Sequence, residues 1–345
     1  MKPASIKDVA EALGTSIGTV DRALHDRAGI SPATRARVLK KAEQLGYRPN
    51  LAARSLKLNR RLHIGAYFPE QIASFFDPLR SGVRAAAAAS IGLNVDLAFR
   101  SFPRLDAGDV ELLAADASRK FGGILITPGD PHHIEPALRR LARQGVAIIC
   151  VASDAPRSER LASVAIDSYA SGAIAAELFS RTIPKAGHLA TITGKLTTLD
   201  HAEKLRGFAA NLALYAPHLT LLPAIESHES SQEAYQQATA LLSRTPRPQG
   251  IYVSTANSLP VLRALEEMNL LGKVHVITTD IFPELLPYIE SGNVLATLNQ
   301  RPFSQGKTAF ELLVRYLVDG SVPKPVTSLA PDIVLRSNLA LFVNP

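Results

Sequence analysis

From Ile6 the apolar positions fall at Ile6, Val9, Ala10 and Leu13, the i, i+3, i+4, i+7 spacing of one helix face. Ser5 with Asp8 three residues later reads as a capping-box start, and Gly14 as the turn that follows. A second short helix is predicted from about Ile17 to Leu24, with Val20, Ala23 and Leu24 on its apolar side. A third opens at SPATRARVLKKAEQLGY, with Ser31 as N-cap and Pro32 at the first helical position. Val38, Leu39, Ala42 and Leu45 form its expected inner face, and Gly46 ends it. Three short helices with one apolar stripe each can bury one small core. The first two lie a short turn apart, which is helix-turn-helix spacing.

From Leu62 the pattern changes. Strand-like runs recur: HIGAYF, LNVDLAF, GGILITP, VAIICVAS, SVAID, HLATITG, GIYVST, VHVITTD, VLATLNQ and DIVLR. Helical spacing fills most of the gaps between them. Such alternation predicts parallel sheets covered by helices. So many strands exceed one ordinary sheet, so two lobes are expected. The fold class is therefore a small all-α helix-turn-helix head on an α/β two-lobed body, with two parallel sheets flanked by helices.

Charge separates the same two parts. Residues 1–62 hold 13 Lys/Arg against 5 Asp/Glu, and the rest of the 345-residue chain holds 25 against 26. A basic head on a near-neutral body points to a polyanionic partner for the head, although a solvated basic helix surface gives the same count. No apolar run is long enough for a membrane span. The N-terminus lacks a signal-peptide pattern, and Cys150 stands alone; both imply a reducing cytoplasm.

Several chemistries can be excluded. Gly14-Thr15-Ser16-Ile17-Gly18 matches the G-x-S-x-G nucleophile elbow, but the elbow needs a preceding strand and here a helix precedes it. In ITGKLT, Leu189 and Leu196 stand where a phosphate-binding loop needs Gly and Ser/Thr. His132 and His133, flanked by Asp130 and Glu135, are adjacent and point apart, so no metal site is expected. Neither an enzymatic activity nor a cofactor is expected.

The segments IKDVAEALGTSIGTVDRAL and SPATRARVLKKAEQLGYRPNLAARSL resemble the DNA-binding head of the lactose-repressor (LacI) family. The resemblance runs without a gap from Ile6 to Leu56 and includes T-V-x-R, T-R-x-R-V and L-G-Y-x-P-N. It implies that Thr15, Ser16 and Thr19 contact phosphate or support the helix, and that Ile17, Gly18 and Arg22 face base edges. Arg22 is the best candidate for a base contact, with a phosphate contact as its alternative. Asp21 stands where Ser is common in the family, and it needs a partner such as Arg22 or Arg27 beside a polyanion. The resemblance further implies a hinge helix near residues 49–61, in which Asn50, Ala53 and Leu56 meet the DNA and Leu56 enters the minor groove.

The body resembles the two-lobed sugar-binding fold shared by that family and periplasmic ribose-binding proteins, most strongly in DIFPELLPYIESGNVLATLNQRPFSQG. Matching positions imply an effector site of Phe75, Phe76, Asp154, Asn257, Asp280 and Gln300, with rings covering sugar faces and polar groups bonding hydroxyls. Lys204 stands where the family often has arginine, and His201 one turn earlier shares that role. Phe75 and Phe76 could instead be core, and Asp154 and Asn257 caps or turn residues.

The expected organisation is a DNA-binding domain at 1–48, a hinge and linker at 49–61, and an effector and dimerisation domain at 62–345. Its lobes interleave, the first at about 62–166 and 297–326, the second at about 167–296 and 327–345. The implied partners are two-fold operator DNA, a second copy of the chain, and a small sugar or polyol that controls operator affinity. The implied action is repression. A phosphorylated sugar or purine as co-repressor is the alternative within this class. A non-regulatory sugar-binding protein is the alternative outside it.

Overall fold

The computed structural model describes residues 4–24, 27–45, 47, 61–105 and 107–343. The described residues up to Arg61 fall in one compact unit, and most of those from Leu62 onward in another.

In the head, α1 (Ile6–Leu13), α2 (Ile17–Leu24) and α3 (Pro32–Gln44) start on side-chain caps. The Ser5 backbone N–H donates to Asp8 at 2.7 Å, and the Asp8 N–H donates to Ser5 Oγ at 3.3 Å. Gly14 ends α1 in the left-handed region at φ 60°, which glycine adopts without a Cβ penalty. Val9, Ala10, Val20, Ala23, Val38 and Ala42 form the core of the head. Leu39 and Leu45, expected on the inner face of α3, are exposed. Only a narrow stripe of α3 is covered, and Leu39 lies about 100° around the helix from Val38.

The body is built on two sheets. The first contains β1 (Arg61–Pro69), β2 (Asn94–Phe102), β3 (Gly123–Ile126), β4 (Ala147–Val151) and β5 (Ala162–Ile166). Between them run α4 (Ala73–Ala89), α5 (Asp109–Ala115) and α6 (Pro131–Arg143). The chain then enters α7 (Ser168–Thr182) and the second sheet: β6 (Gly187–Thr193), α8 (Leu199–Tyr215), β7 (Leu219–Leu221), β8 (Ile225–Glu226), α9 (Ser231–Leu242), β9 (Gly250–Val253), α10 (Leu259–Glu267), β10 (His275–Thr279), α11 (Leu286–Glu290) and β11 (Ala296–Asn299). It continues with α12 (Pro302–Asp319), β12 (Val326–Leu329), β13 (Asp332–Val334) and α13 (Ala340–Val343).

Strand order is β12-β5-β4-β3-β1-β2 in the first sheet and β13-β11-β10-β9-β6-β7 in the second, with β8 also on β6. The two sheets thus repeat one doubly wound order. Pairing is parallel in both, as in Ile64 to Gly123 and His275 to Gly250, except that β13 runs antiparallel to β11. The expected strands are present. β7, β8 and β12 went unforeseen because they are short and lie beside proline or exposed residues.

The chain passes between sheets near 167, 300–301 and 330–331. The last two crossings fall later than sequence spacing placed them. Ala296–Asn299 pairs with β10 in the second sheet, and Val326–Leu329 with β5 in the first. Both are strands ending at the crossing, and a strand belongs to the sheet that takes its hydrogen bonds.

Close packing of α8 on α7 sets up the site. A Cβ on Gly172 would stand 2.0 Å from the Lys204 carbonyl oxygen, and one on Gly207 2.1 Å from that of Tyr169. Glycine at both positions lets the helices meet backbone to backbone, which brings Lys204 wholly under cover.

Candidate functional site

The C-terminal ends of the parallel strands in both sheets face one chamber, the position expected for ligands in open α/β sheets. The first lobe contributes Ile72, Phe75 and Phe76 after β1, Thr127 after β3, and Ser153 after β4. The two phenyl rings meet edge to face, centroids 4.9 Å apart. The second lobe contributes Thr198, Asp200 and His201 at the start of α8, Glu229 after β8, and Thr255 after β9. Gln300 enters from the crossing after β11. The backbone is left-handed at Ile72 (φ 57°), Ala152 (φ 68°), Glu229 (φ 56°) and Asp280 (φ 67°), so non-glycine residues in a costly conformation gather here.

Behind the chamber wall lies a charged cluster. Lys204 Nζ donates to Asp200 Oδ2 at 3.0 Å, to Gln300 Oε1 at 2.7 Å and to the Ser254 carbonyl at 3.3 Å. Gln300 donates through Nε2 to Asp280 Oδ2 at 2.6 Å and through its backbone N–H to Oδ1 at 2.8 Å. Burial opposes charge on Lys204, but the Asp200 carboxylate outweighs it and the pKa lies above the usual ammonium value. Burial also opposes charge on Asp200, and His201 with Lys204 reverses this, leaving the carboxyl below its ordinary range. Asp280 is pushed up to about 6 by burial, against its two bonds from Gln300. Burial likewise raises Glu229. Thr255 donates to Glu229 Oε2 at 2.6 Å, and His201 Nε2 stands 3.3 Å from Oε1.

Phe75, Phe76, His201 and Gln300 therefore line the chamber as the sequence suggests. Lys204 and Asp280 do not. They are buried behind Gln300 and Asp200, and they support rather than line. Asp154 does not line it either. Both its oxygens are taken by Arg160, and its neighbour Ser153, just past the left-handed Ala152, faces the chamber instead. Asn257 borders an adjoining chamber and accepts from Ser231 Oγ at 3.2 Å.

Asp200, Glu229, Thr127, Ser153 and Thr255 were not anticipated. Asp200 had a signal, being adjacent to His201 at a helix start. Glu229 had none, since only the left-handed turn after β8 aims it inward. Gly194 makes the room: a Cβ there would stand 2.1 Å from Glu229 Oε1 and 2.2 Å from His201 Cε1. Side-chain hydrogen bonds join the lobes around the chamber. Thr198 Oγ1 donates to the Gly129 carbonyl at 2.6 Å, and Gln71 Nε2 to the Glu229 carbonyl at 3.0 Å.

In the head, Ser16 Oγ accepts from the Thr19 N–H at 3.1 Å and lies 3.0 Å from Thr19 Oγ1. Its hydroxyl caps α2, on a turn between helices that has no elbow. Thr15 and Thr19 are half-buried; Ile17, Gly18 and Arg22 lie on the exposed side of α2. Asp21 is paired with Arg27 at 2.9 Å, which offsets its charge on a basic surface. Asn50, Ala53 and Leu56 lie outside the described residues.

A capped helix-turn-helix and a two-lobed body with a polar chamber define a DNA-binding transcriptional regulator with a ligand-binding domain. Residues 5–50 match the lacI family of bacterial regulatory proteins, and residues 64–321 match the periplasmic binding protein domain. The chain belongs to the lacI family of regulators, with a periplasmic-binding-protein body. It is 26% identical to the HTH-type transcriptional repressor PurR of Aliivibrio fischeri (strain MJ11), over 97% of this chain and 98% of that one. It is 23% identical to catabolite control protein A of Priestia megaterium, over the same shares. The body is similar in fold to an ABC transporter solute-binding protein of Burkholderia graminis C4D1M in complex with D-arabinose, with a TM-score of 0.75, 22% identity, and coverage of 81% of this chain and 96% of that one. No helix among the described residues is long and apolar enough to cross a membrane.

Proposed function

We propose that this regulator is a repressor whose operator affinity is set by a neutral sugar or polyol held between the two lobes. The observation that carries this reading is the charge of the chamber. Among the described residues lining it, Asp200 and Glu229 bring carboxylates, and none is Lys or Arg. The nearest ammonium, Lys204, is already shared between Asp200 and Gln300. A phosphate dianion would lie against two carboxylates in a low-dielectric cleft without a matching cation. Hydroxyls suit the same groups. They donate to Asp200 and Glu229 and exchange bonds with Thr127 and Ser153, whose buried hydroxyls have no partner. The rings of Phe75 and Phe76 offer cover for C–H faces.

On the DNA side, Ile17, Gly18 and Arg22 read base edges. Thr15, Ser16, Thr19, Asn50, Ala53 and Leu56 complete the contact set, and two copies of the chain meet a two-fold operator. Ligand closes the lobes and changes how the paired heads present to DNA, by no more than its differential affinity for the two states. Titration calorimetry with pentoses, hexoses and inositols beside their phosphate esters, followed by gel shifts with those that bind, tests the proposal. Neutral ligands are expected to bind and to shift operator affinity. Tight binding of a phosphate ester alone overturns it.

A further inference from the structure

A carboxylate stands within the exposed arc of α2. At about 100° per residue, Asp21 falls between Ile17 and Gly18 around the helix, with Arg22 just beyond. On that face a carboxylate meets a phosphate backbone that repels it. Arg27 answers it: Nη1 donates to Asp21 Oδ2 at 2.9 Å. Arg27 lies past the end of α2, yet it is held at three points. Its backbone N–H donates to the Arg22 carbonyl at 2.9 Å. Its own carbonyl accepts from Arg35 Nη2, on α3, at 3.2 Å. Asp21 holds the far end of its side chain. The following loop stays beside the helix, since a Cβ on Gly29 would lie 3.9 Å from Arg22 Cδ. A guanidinium carries five N–H donors in a planar fork. Among the described residues Asp21 takes one of those of Arg27, whose side chain is 56% exposed. So exposed a pair adds little to stability, and the head has its own apolar core. Three holds on one loop residue therefore serve its placement more than the fold.

We propose that Arg27 is a DNA-contacting residue and that Asp21 positions it. The carboxylate holds one edge of the guanidinium, and the remaining N–H groups donate to acceptors of the DNA, on a phosphate or on a guanine edge. The proposal rests on the reading of α2 as the helix that faces the bases. Asp21 orders the long side chain before DNA arrives, so less rotamer freedom is lost on binding. The carboxylate that would oppose DNA binding on its own thus supports it through its partner.

A preferred duplex should be selected by the full-length chain from a random-sequence pool. Binding of that duplex and of a random one should then be followed by fluorescence anisotropy over a series of KCl concentrations. The deciding variant combines Asp21→Asn with Arg27→Gln. It removes one charge of each sign and leaves the net charge of the head as it was. The selected duplex is expected to bind ten-fold or more weakly, with the melting temperature unchanged. Asp21→Ala with Arg27→Ala makes the same balanced exchange and serves if the first pair does not fold. A loss on both duplexes, with a salt slope shallower by about 0.9 per head, assigns Arg27 to a phosphate. A loss confined to the selected duplex, with preference relaxed at one base pair, assigns it to a guanine edge. A balanced variant that binds both duplexes within two-fold of wild type would overturn the proposal, because the pair then only neutralises itself. Arg22→Ala on the same duplexes separates the two readings. If Arg22→Ala weakens binding and the balanced variant does not, the reading of α2 stands and this proposal falls. If neither weakens it, both fall.

Discussion

Lys204 Nζ and Gln300 Oε1 stand 2.7 Å apart although ninety-six positions separate them in the sequence. The contact ties the first turns of α8 to the crossing after β11. Through it Lys204 orients two groups of the chamber wall, Asp200 and Gln300, without lining the chamber itself.

Lys204→Met keeps most of the side-chain volume and removes the charge. It strands the buried Asp200 carboxylate and frees Gln300 to rotate. Breaking a buried pair from one side costs about 3–5 kcal/mol, so a clear drop in urea midpoint is expected together with loss of ligand binding. An unchanged midpoint would mean that Asp200 finds another partner.

Gly194→Ala tests the space around Glu229. The added Cβ meets Glu229 Oε1 and His201 Cε1 far inside contact distance, so both must shift. Ligand binding should weaken by ten-fold or more, about 1.4 kcal/mol. Operator binding without ligand should hold, because the head folds around its own core. Gel shifts with and without the effector check both halves.

Asp280 links stability to pH. Its folded pKa of about 6 lies above the ordinary value of 3.8, so the folded state binds the proton more tightly than the unfolded state. Its contribution is greatest below the unfolded value and is lost as pH rises through about 6. Asp280→Asn keeps the neutral form at all pH. Its melting temperature relative to wild type should therefore rise as pH goes from 5 to 7.5. A constant difference over that window would place the Asp280 pKa elsewhere.

Arg22 lies on the exposed side of α2 next to the Asp21–Arg27 pair. Arg22→Ala should cost about 1–3 kcal/mol on the operator and relax preference at one base pair per half-site. For wild type, log K should fall steeply with log salt, as phosphate contacts release counterions. Equal losses on operator and random DNA would make Arg22 a phosphate contact.

Local patterns settled much of this protein in advance. Ser5, Gly14, Ser31 and Pro32 mark helix ends by chemistry that acts within four residues, and the helices end there. Runs such as AIICV, buried throughout, identify central strands. Phe75, Phe76 and Gln300 could be picked out because the family resemblance marks those positions.

The division of labour within the site was a tertiary matter. Asp154 and Ser153 are neighbours in sequence, yet Arg160 claims the carboxylate and the chamber receives the hydroxyl. Asp280 and Lys204 carry the charges a sugar site calls for, but close packing of α8 on α7 and the turn after β11 bury them one layer behind the wall. Glu229 comes forward because a left-handed turn points it inward and Gly194 leaves it room. The sequence by itself determined a helix-turn-helix head, a doubly wound two-lobed body and the segments that meet between the lobes, because periodicity and capping are short-range. Which side chain of each segment faces the ligand depended on partners up to a hundred residues away, and only the folded chain brings those together.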